Sequence, residues 1–125
     1  MAFTFITDRK RANGLGSAKS GTEHHWHMTV TSVALLPLVV LFVFTFGAIL
    51  GSPYEEVVAY YQRPFPAVIA ALTMVVGFNH FANGARMTVE DYTGGLTRKA
   101  LIIGLNCLSY AAAAFAVFAI IRIAL

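Results

Sequence analysis

The chain has 125 residues, 58% of them hydrophobic and only 12% charged, against about 25% charged in ordinary soluble domains. That balance excludes a water-soluble globular enzyme and points to a small integral membrane protein. A net charge of +3 is too slight, and its basic residues too scattered, for a nucleic-acid-binding surface.

Residues 1–23 combine a basic cluster, Arg9-Lys10-Arg11, with a flexible GLGSAKSG stretch, and they lack the apolar period of about 3.6 residues that a stable helix needs. They read as a polar lead-in on the membrane surface. The apolar run that follows is much longer than the h-region of a secretory signal, about 7 to 15 residues, so it is expected to remain as an anchor. Glu23-His24-His25-Trp26-His27 stands at its entry, with Trp26 suited to the headgroup belt. Three histidines in four positions form a metal-like pattern. No cysteine pair or second histidine cluster completes a tetrahedral set, and a surface patch touching an anionic group is the alternative.

The first predicted span covers residues 28–51 and holds Pro37 in its interior, a tolerated kink in a membrane helix. Gly47 and Gly51 have the spacing that allows close helix approach. Residues 52–63, with Tyr54, Glu55, Glu56, Tyr60 and Tyr61, read as an interfacial loop, and Pro64 and Pro66 mark the next helix start. The second span covers 66–90. A turn at Thr93-Gly94-Gly95 leads to a third span at 99–123, which carries Asn106, Ser109 and Tyr110 and a small-residue face at 111–114. The single cysteine, Cys107, reads as a small buried hydrophobe and excludes an internal disulfide.

The fold class is therefore all-α integral membrane: one domain over 1–125, with a lead-in at 1–27 and a three-helix transmembrane unit at 28–125. Lys and Arg set the orientation. Arg9, Lys10, Arg11 and Lys19 precede the first span and Arg86, Arg98 and Lys99 flank the second loop, whereas Arg63 and Arg122 stand alone on the other side. By the positive-inside rule the N-terminus faces the cytoplasm and the C-terminus the periplasm.

The stretch with chemistry in it is GFNHFANGARMTVEDY, residues 77–92. His80 lies in a run uncharged over 64–85, long enough to cross a hydrocarbon core of about 30 Å. An ionisable group there calls for a partner: a metal, a proton path, a ligand or another polar side chain. A neutral imidazole satisfied by Asn79, Asn83 or a neighbouring helix is the plainer alternative. A neutral imidazole is also a good axial ligand for haem iron. With one intramembrane histidine, a second axial histidine must come from another chain. Tyr92 offers a phenol that can hydrogen-bond a quinone carbonyl, and Asp91 beside it can orient that hydroxyl or supply protons.

His80, ten intervening residues, then Asp91-Tyr92, at the end of the second of three spans, resembles the small hydrophobic membrane-anchor subunit of succinate dehydrogenase, the cytochrome b-type chain of bacterial respiratory complex II. The lead-in GSAKSGTEHHW followed by TSVALLPL is similar too, so the resemblance runs from about Arg9 to the C-terminus. It implies that His80 is an axial ligand of a haem b shared with the larger cytochrome b-type anchor, that Tyr92 hydrogen-bonds ubiquinone, and that Asp91 supports that site. It implies flavoprotein and iron-sulfur partner subunits, lipid contact and the inner membrane. One departure concerns the haem propionates: in the family many relatives carry an arginine just before the first-span apolar run, where this chain has His27, Met28 and Thr29. His25, His27 and Arg86 are the alternative anion partners. The chain has no GxGxxG fingerprint and no cysteine set for a cluster, so the resemblance makes it an anchor and part of a cofactor cage, not an enzyme by itself. The rival readings are a fumarate reductase anchor or other b-type cytochrome, and a non-redox scaffold or transporter subunit.

Overall fold

The computed structural model describes residues 7–14, 16 and 21–125. Five helices follow one another: α1 (Asp8–Asn13), α2 (Gly21–Gly47), α3 (Tyr54–Tyr61), α4 (Pro64–Tyr92) and α5 (Gly95–Ala124). Among the described residues all regular structure is helical, as lipid requires of a chain that must satisfy its backbone internally.

Three helices are long and apolar enough to cross a membrane: α2 with 27 residues, α4 with 29 and α5 with 30. At about 1.5 Å per residue they measure about 40 to 45 Å, the full bilayer with its headgroups. This explains the boundaries. The expected spans at 66–90 and 99–123 mark where apolar side chains run out, whereas hydrogen-bonded backbone continues through the headgroup layer to Pro64 and Tyr92, and to Gly95 and Ala124.

The first span is shifted more. It begins at Gly21 rather than 28 and ends at Gly47 rather than 51. The helix tightens there into short-range bonds, Ile49 N–H to Phe46 O, Leu50 N–H to Gly47 O and Ser52 N–H to Ile49 O, and Gly51 reverses the chain at φ 89°. Gly47 and Gly51 do not form a packing motif within this chain. Nothing lies within 4 Å of a Cβ built at either. Cys107 is likewise exposed rather than buried.

Two short helices stand where the sequence reads as irregular. In α1 the Thr7 hydroxyl accepts from Lys10 N–H at 3.3 Å, a cap for a six-residue helix that carries Arg9, Lys10 and Arg11. The remainder of the expected flexible stretch, with Lys19, lies outside the described residues. In α3, Pro53 precedes a first turn holding Glu55 and Glu56, which complement the helix dipole.

The core is a row, with α4 in the middle. α4 packs against both α2 and α5, and α2 and α5 make no comparable approach to each other. A third of the most apolar window of α4 is buried against 6% for α2 and for α5. The α2 face of α4 advances in alternating steps of four and three residues, Thr73, Gly77, His80, Gly84, Met87, the seam of a left-handed helix pair. Thr73 Oγ1 lies 3.4 Å from Leu38 O, a Cβ at Gly77 would lie 4.0 Å from Leu35, and one at Gly84 3.8 Å from Met28. Position falls along α2 as it rises along α4, so the two helices are antiparallel.

The side of α4 turned away from this seam holds Ala82, 2% exposed, while Ser109 on α5 is 3% exposed. Both are small, as close helix approach in lipid requires. An Ala82→Leu substitution is expected to destabilise the α4–α5 contact by about 1 to 3 kcal/mol through overpacking. Gly84→Ala, whose new methyl meets Met28 at ordinary contact distance, is expected to be neutral within about 0.5 kcal/mol. Thermal unfolding of the detergent-solubilised complex, followed side by side for the two variants, checks the contrast.

Candidate functional site

His80 lies near the middle of α4 and is half-buried. Its Nδ1 is 3.0 Å from Thr31 Oγ1 on α2, a contact between residues 49 positions apart. The partner is thus a neighbouring helix, and neither adjacent asparagine. Asn83 Nδ2 instead donates to Asn79, at 2.9 Å to its carbonyl and 3.2 Å to Oδ1.

The other ring nitrogen is different. His80 Nε2 has no hydrogen-bond partner among the described residues, and it is not among the enclosed polar atoms without one, which are His24 Nε2 and Ser109 Oγ. It is therefore open at the surface of this chain. The arrangement suits an axial ligand: one nitrogen is tied to the protein and the other remains available as a donor. Among the described residues no three His, Cys, Asp or Glu side chains converge on a metal position. A haem needs no such cluster, because the porphyrin supplies four ligands and this chain need offer only one.

Asp91 and Tyr92 occupy the last turn of the same helix and are exposed, Tyr92 to 85%. The continuous helix sets Tyr92 about 18 Å along the axis from His80, so the two do not share a pocket. Eleven residues make about three turns, which returns Asp91 to the His80 side, whereas Tyr92 is rotated about a further 100°. The turn beyond is pinned: Thr93 N–H and Oγ1 both donate to Val89 O, at 3.0 and 2.6 Å, and Arg98 Nε donates to Thr93 O at 2.7 Å. These bonds fix the end of α4 that carries the Asp-Tyr pair.

Between the helices, reaching the asparagines beside His80, lies a polar cleft of about 320 Å³ lined by Glu23, His24, His27, Asn79, Asn83 and Tyr110. A second, of about 370 Å³, is lined by Gly21, His24, Arg86, Met87 and Glu90. Of the three histidines at the entry, His24 and His27, about one helical turn apart, line the first cleft, His24 half-buried and His27 exposed, whereas His25 and Trp26 are exposed and line neither. His24 was not singled out by the sequence. The signal that finds it is its spacing of two turns from Thr31, which places both on the face turned to α4. Arg86 is engaged by Glu90, Nε to Oε1 2.8 Å, with side chains 44% and 40% exposed, a pair worth little in water.

Comparison with known proteins supplies the context for this geometry. Residues 4–122 match the succinate dehydrogenase/fumarate reductase transmembrane subunit family. The chain is similar to a protein of Paracoccus denitrificans named succinate dehydrogenase hydrophobic membrane anchor subunit, 48% identical over 121 residues, which cover 97% of this chain and 94% of that one. It is similar to proteins of the same name from Rickettsia conorii, 28% identical over 94 residues and 74% of each chain, and Rickettsia bellii, 27% identical over 111 residues, 87% of this chain and 88% of that one. No solved structure matches it. Three membrane-length helices in a row, matched over nearly their whole extent by one family, carry a single conclusion: the chain belongs to the succinate dehydrogenase/fumarate reductase transmembrane subunit family.

Proposed function

We propose that this chain, as a succinate dehydrogenase membrane anchor, supplies His80 as one axial ligand of a haem b and Asp91-Tyr92 to a ubiquinone-reduction site. The observation that carries the reading is the state of His80: a histidine deep in a membrane helix, Nδ1 held at 3.0 Å by Thr31 and Nε2 open. The second axial ligand comes from the larger cytochrome b-type anchor, because this chain offers one such histidine. Haem b supplies a one-electron centre when bound. The catalytic subunits, a flavoprotein and an iron-sulfur protein, dock on the cytoplasmic face and deliver electrons from succinate.

At the quinone, the roles of this chain's residues follow from their chemistry. The Tyr92 phenol donates a hydrogen bond to a quinone carbonyl oxygen and thereby favours the charge that develops there on reduction. Quinone takes up two electrons and two protons, and Asp91, exposed at the water interface, is the group able to relay the protons. The 85% exposure of Tyr92 means that partner subunits must complete the pocket walls. Basic residues in α1 and at the α4–α5 turn support a cytoplasmic position for this end, in a bacterial inner membrane, with the C-terminus periplasmic.

In the assembled complex, His80→Ala is expected to abolish or shift the reduced b-type haem spectrum; an unaltered spectrum would remove His80 from the ligand set. Tyr92→Phe is expected to lower succinate:ubiquinone reductase kcat/KM by about 3- to 10-fold, the worth of one neutral hydrogen bond, with haem content and succinate oxidation by an artificial acceptor unchanged. Wild-type turnover in that variant would exclude the phenol from the site. A phosphatase fused to Leu125 is expected to be active, and the same fusion inactive would reverse the topology.

A further inference from the structure

Thr31 has so far entered only as the contact of His80 Nδ1, and its surroundings define a role. Its hydroxyl lies 3.0 Å from His27 O, 3.1 Å from Met28 O and 3.0 Å from His80 Nδ1. It has one proton to give, and two carbonyls and a ring nitrogen within reach. Five other hydroxyls, four within helices and one at the cap of α4, indicate where the proton goes. Thr29, Ser32, Thr45, Thr73 and Thr93 all donate to the carbonyl four residues earlier, at 2.6 to 3.0 Å. With Thr31 doing the same toward His27 O, its oxygen lone pair accepts from His80, and the imidazole proton resides on Nδ1. Nε2 then carries the free lone pair.

The packing holds that geometry. The glycines at 77 and 84 flank His80 one helical turn to each side on the seam, with Leu35 and Met28 against them, and this close approach brings a side chain as short as threonine within reach of the ring. Threonine, branched at Cβ, has few rotamers to lose.

We infer that Thr31 is a positioning residue for the His80 ligand: by accepting the Nδ1 proton it fixes the tautomer and ring orientation that present Nε2 to iron, and it raises the donor strength of that nitrogen. This rests on the haem-ligand reading above. A hydrogen bond from Nδ1–H to an acceptor pushes electron density toward Nε2, which stabilises ferric over ferrous iron, so the partner sets haem potential as well as haem retention.

The test uses the intact membrane complex, with b-type haem content per flavin and the haem midpoint potential as readouts. Thr31→Val keeps the shape and removes the acceptor. It is expected to shift the midpoint potential upward and to weaken haem retention by about tenfold, the lower end of what such partners contribute, because a hydroxyl is a weaker acceptor than a carboxylate. Thr31→Ser is expected to restore both. Thr31→Ala removes the same acceptor without adding bulk, and provides the readout if the valine complex fails to assemble. A wild-type potential and haem content in Thr31→Val or Thr31→Ala, beside His80→Ala that has lost haem, would overturn the role of Thr31 and leave His80 as ligand. Equal shifts in the serine and valine variants would also overturn it, since they would trace to packing. Haem retained unaltered in His80→Ala would instead remove the reading on which the inference stands.

Discussion

The hydrogen bond between His80 and Thr31 is the interaction on which this arrangement depends. In hydrocarbon there is no water to take the place of a missing partner, and an unpaired polar nitrogen costs several kcal/mol. A membrane histidine therefore constrains its neighbours: some polar atom must come within about 3 Å of the ring. Here it is a threonine on the preceding span, at 3.0 Å. A side chain that short reaches only if the helix backbones are close, and the seam of α4 is small on both sides of His80, with Gly77 and Gly84 meeting Leu35 and Met28. Register follows from this. Once Thr31 faces His80, the antiparallel pairing of α2 and α4 is set along its length, from Thr73 beside Leu38 to the cleft that His24 shares with Met87.

The same constraint explains why the chain is only part of a larger structure. One ring nitrogen is satisfied internally and the other is left open, and α2 and α5 leave most of their apolar surface uncovered, with large side chains such as Phe44, Phe115 and Phe118 well exposed. Lipid accounts for apolar exposure, since hydrocarbon is as good a neighbour for phenylalanine as protein is. Lipid cannot account for an open imidazole nitrogen. That distinction, rather than the extent of exposed surface, is what directs attention to the His80 side of the row as the place for the proposed cofactor.

Much of this was legible in the sequence, and the parts that were not have physical causes. Apolar length is a strong signal because the bilayer imposes it, so the three spans, their order and the marked character of His80, Asp91 and Tyr92 could be read directly. The helix ends could not, because backbone hydrogen bonding continues past the last apolar residue. The α3 helix was missed since eight residues alone carry too little periodicity, and its first-turn glutamates read equally well as loop residues. Choosing among Thr29, Thr31 and Ser32 as the partner of His80 required the register between two helices, which depends on how closely they pack. The glycines illustrate the limit. Gly47 and Gly51 had the recognised spacing and form a helix end and a turn, whereas Gly77 and Gly84, seven apart, form the packing face. Spacing identifies residues that share a face, and only the tertiary contact decides which face is used.

The separation of His80 from Asp91-Tyr92 is also a physical quantity, because both sit on one unbroken helix. A helix is a stiff ruler: twelve residues fix about 18 Å of travel, and eleven fix about three complete turns. Inserting a single residue between them would lengthen the axis by only about 1.5 Å but rotate the Asp-Tyr pair by about 100° relative to His80. The Asp91 side chain would then leave the side of α4 it shares with His80, and Tyr92 would swing away from its present bearing on the same end. Bonds beyond the helix hold that end in place, with Thr93 tied back to Val89 and Arg98 reaching over to the Thr93 carbonyl. The angular relation, more than the distance, is what an uninterrupted α4 secures, and it is the reason one helical stretch can hold a half-buried histidine and an interfacial Asp-Tyr pair at fixed bearings.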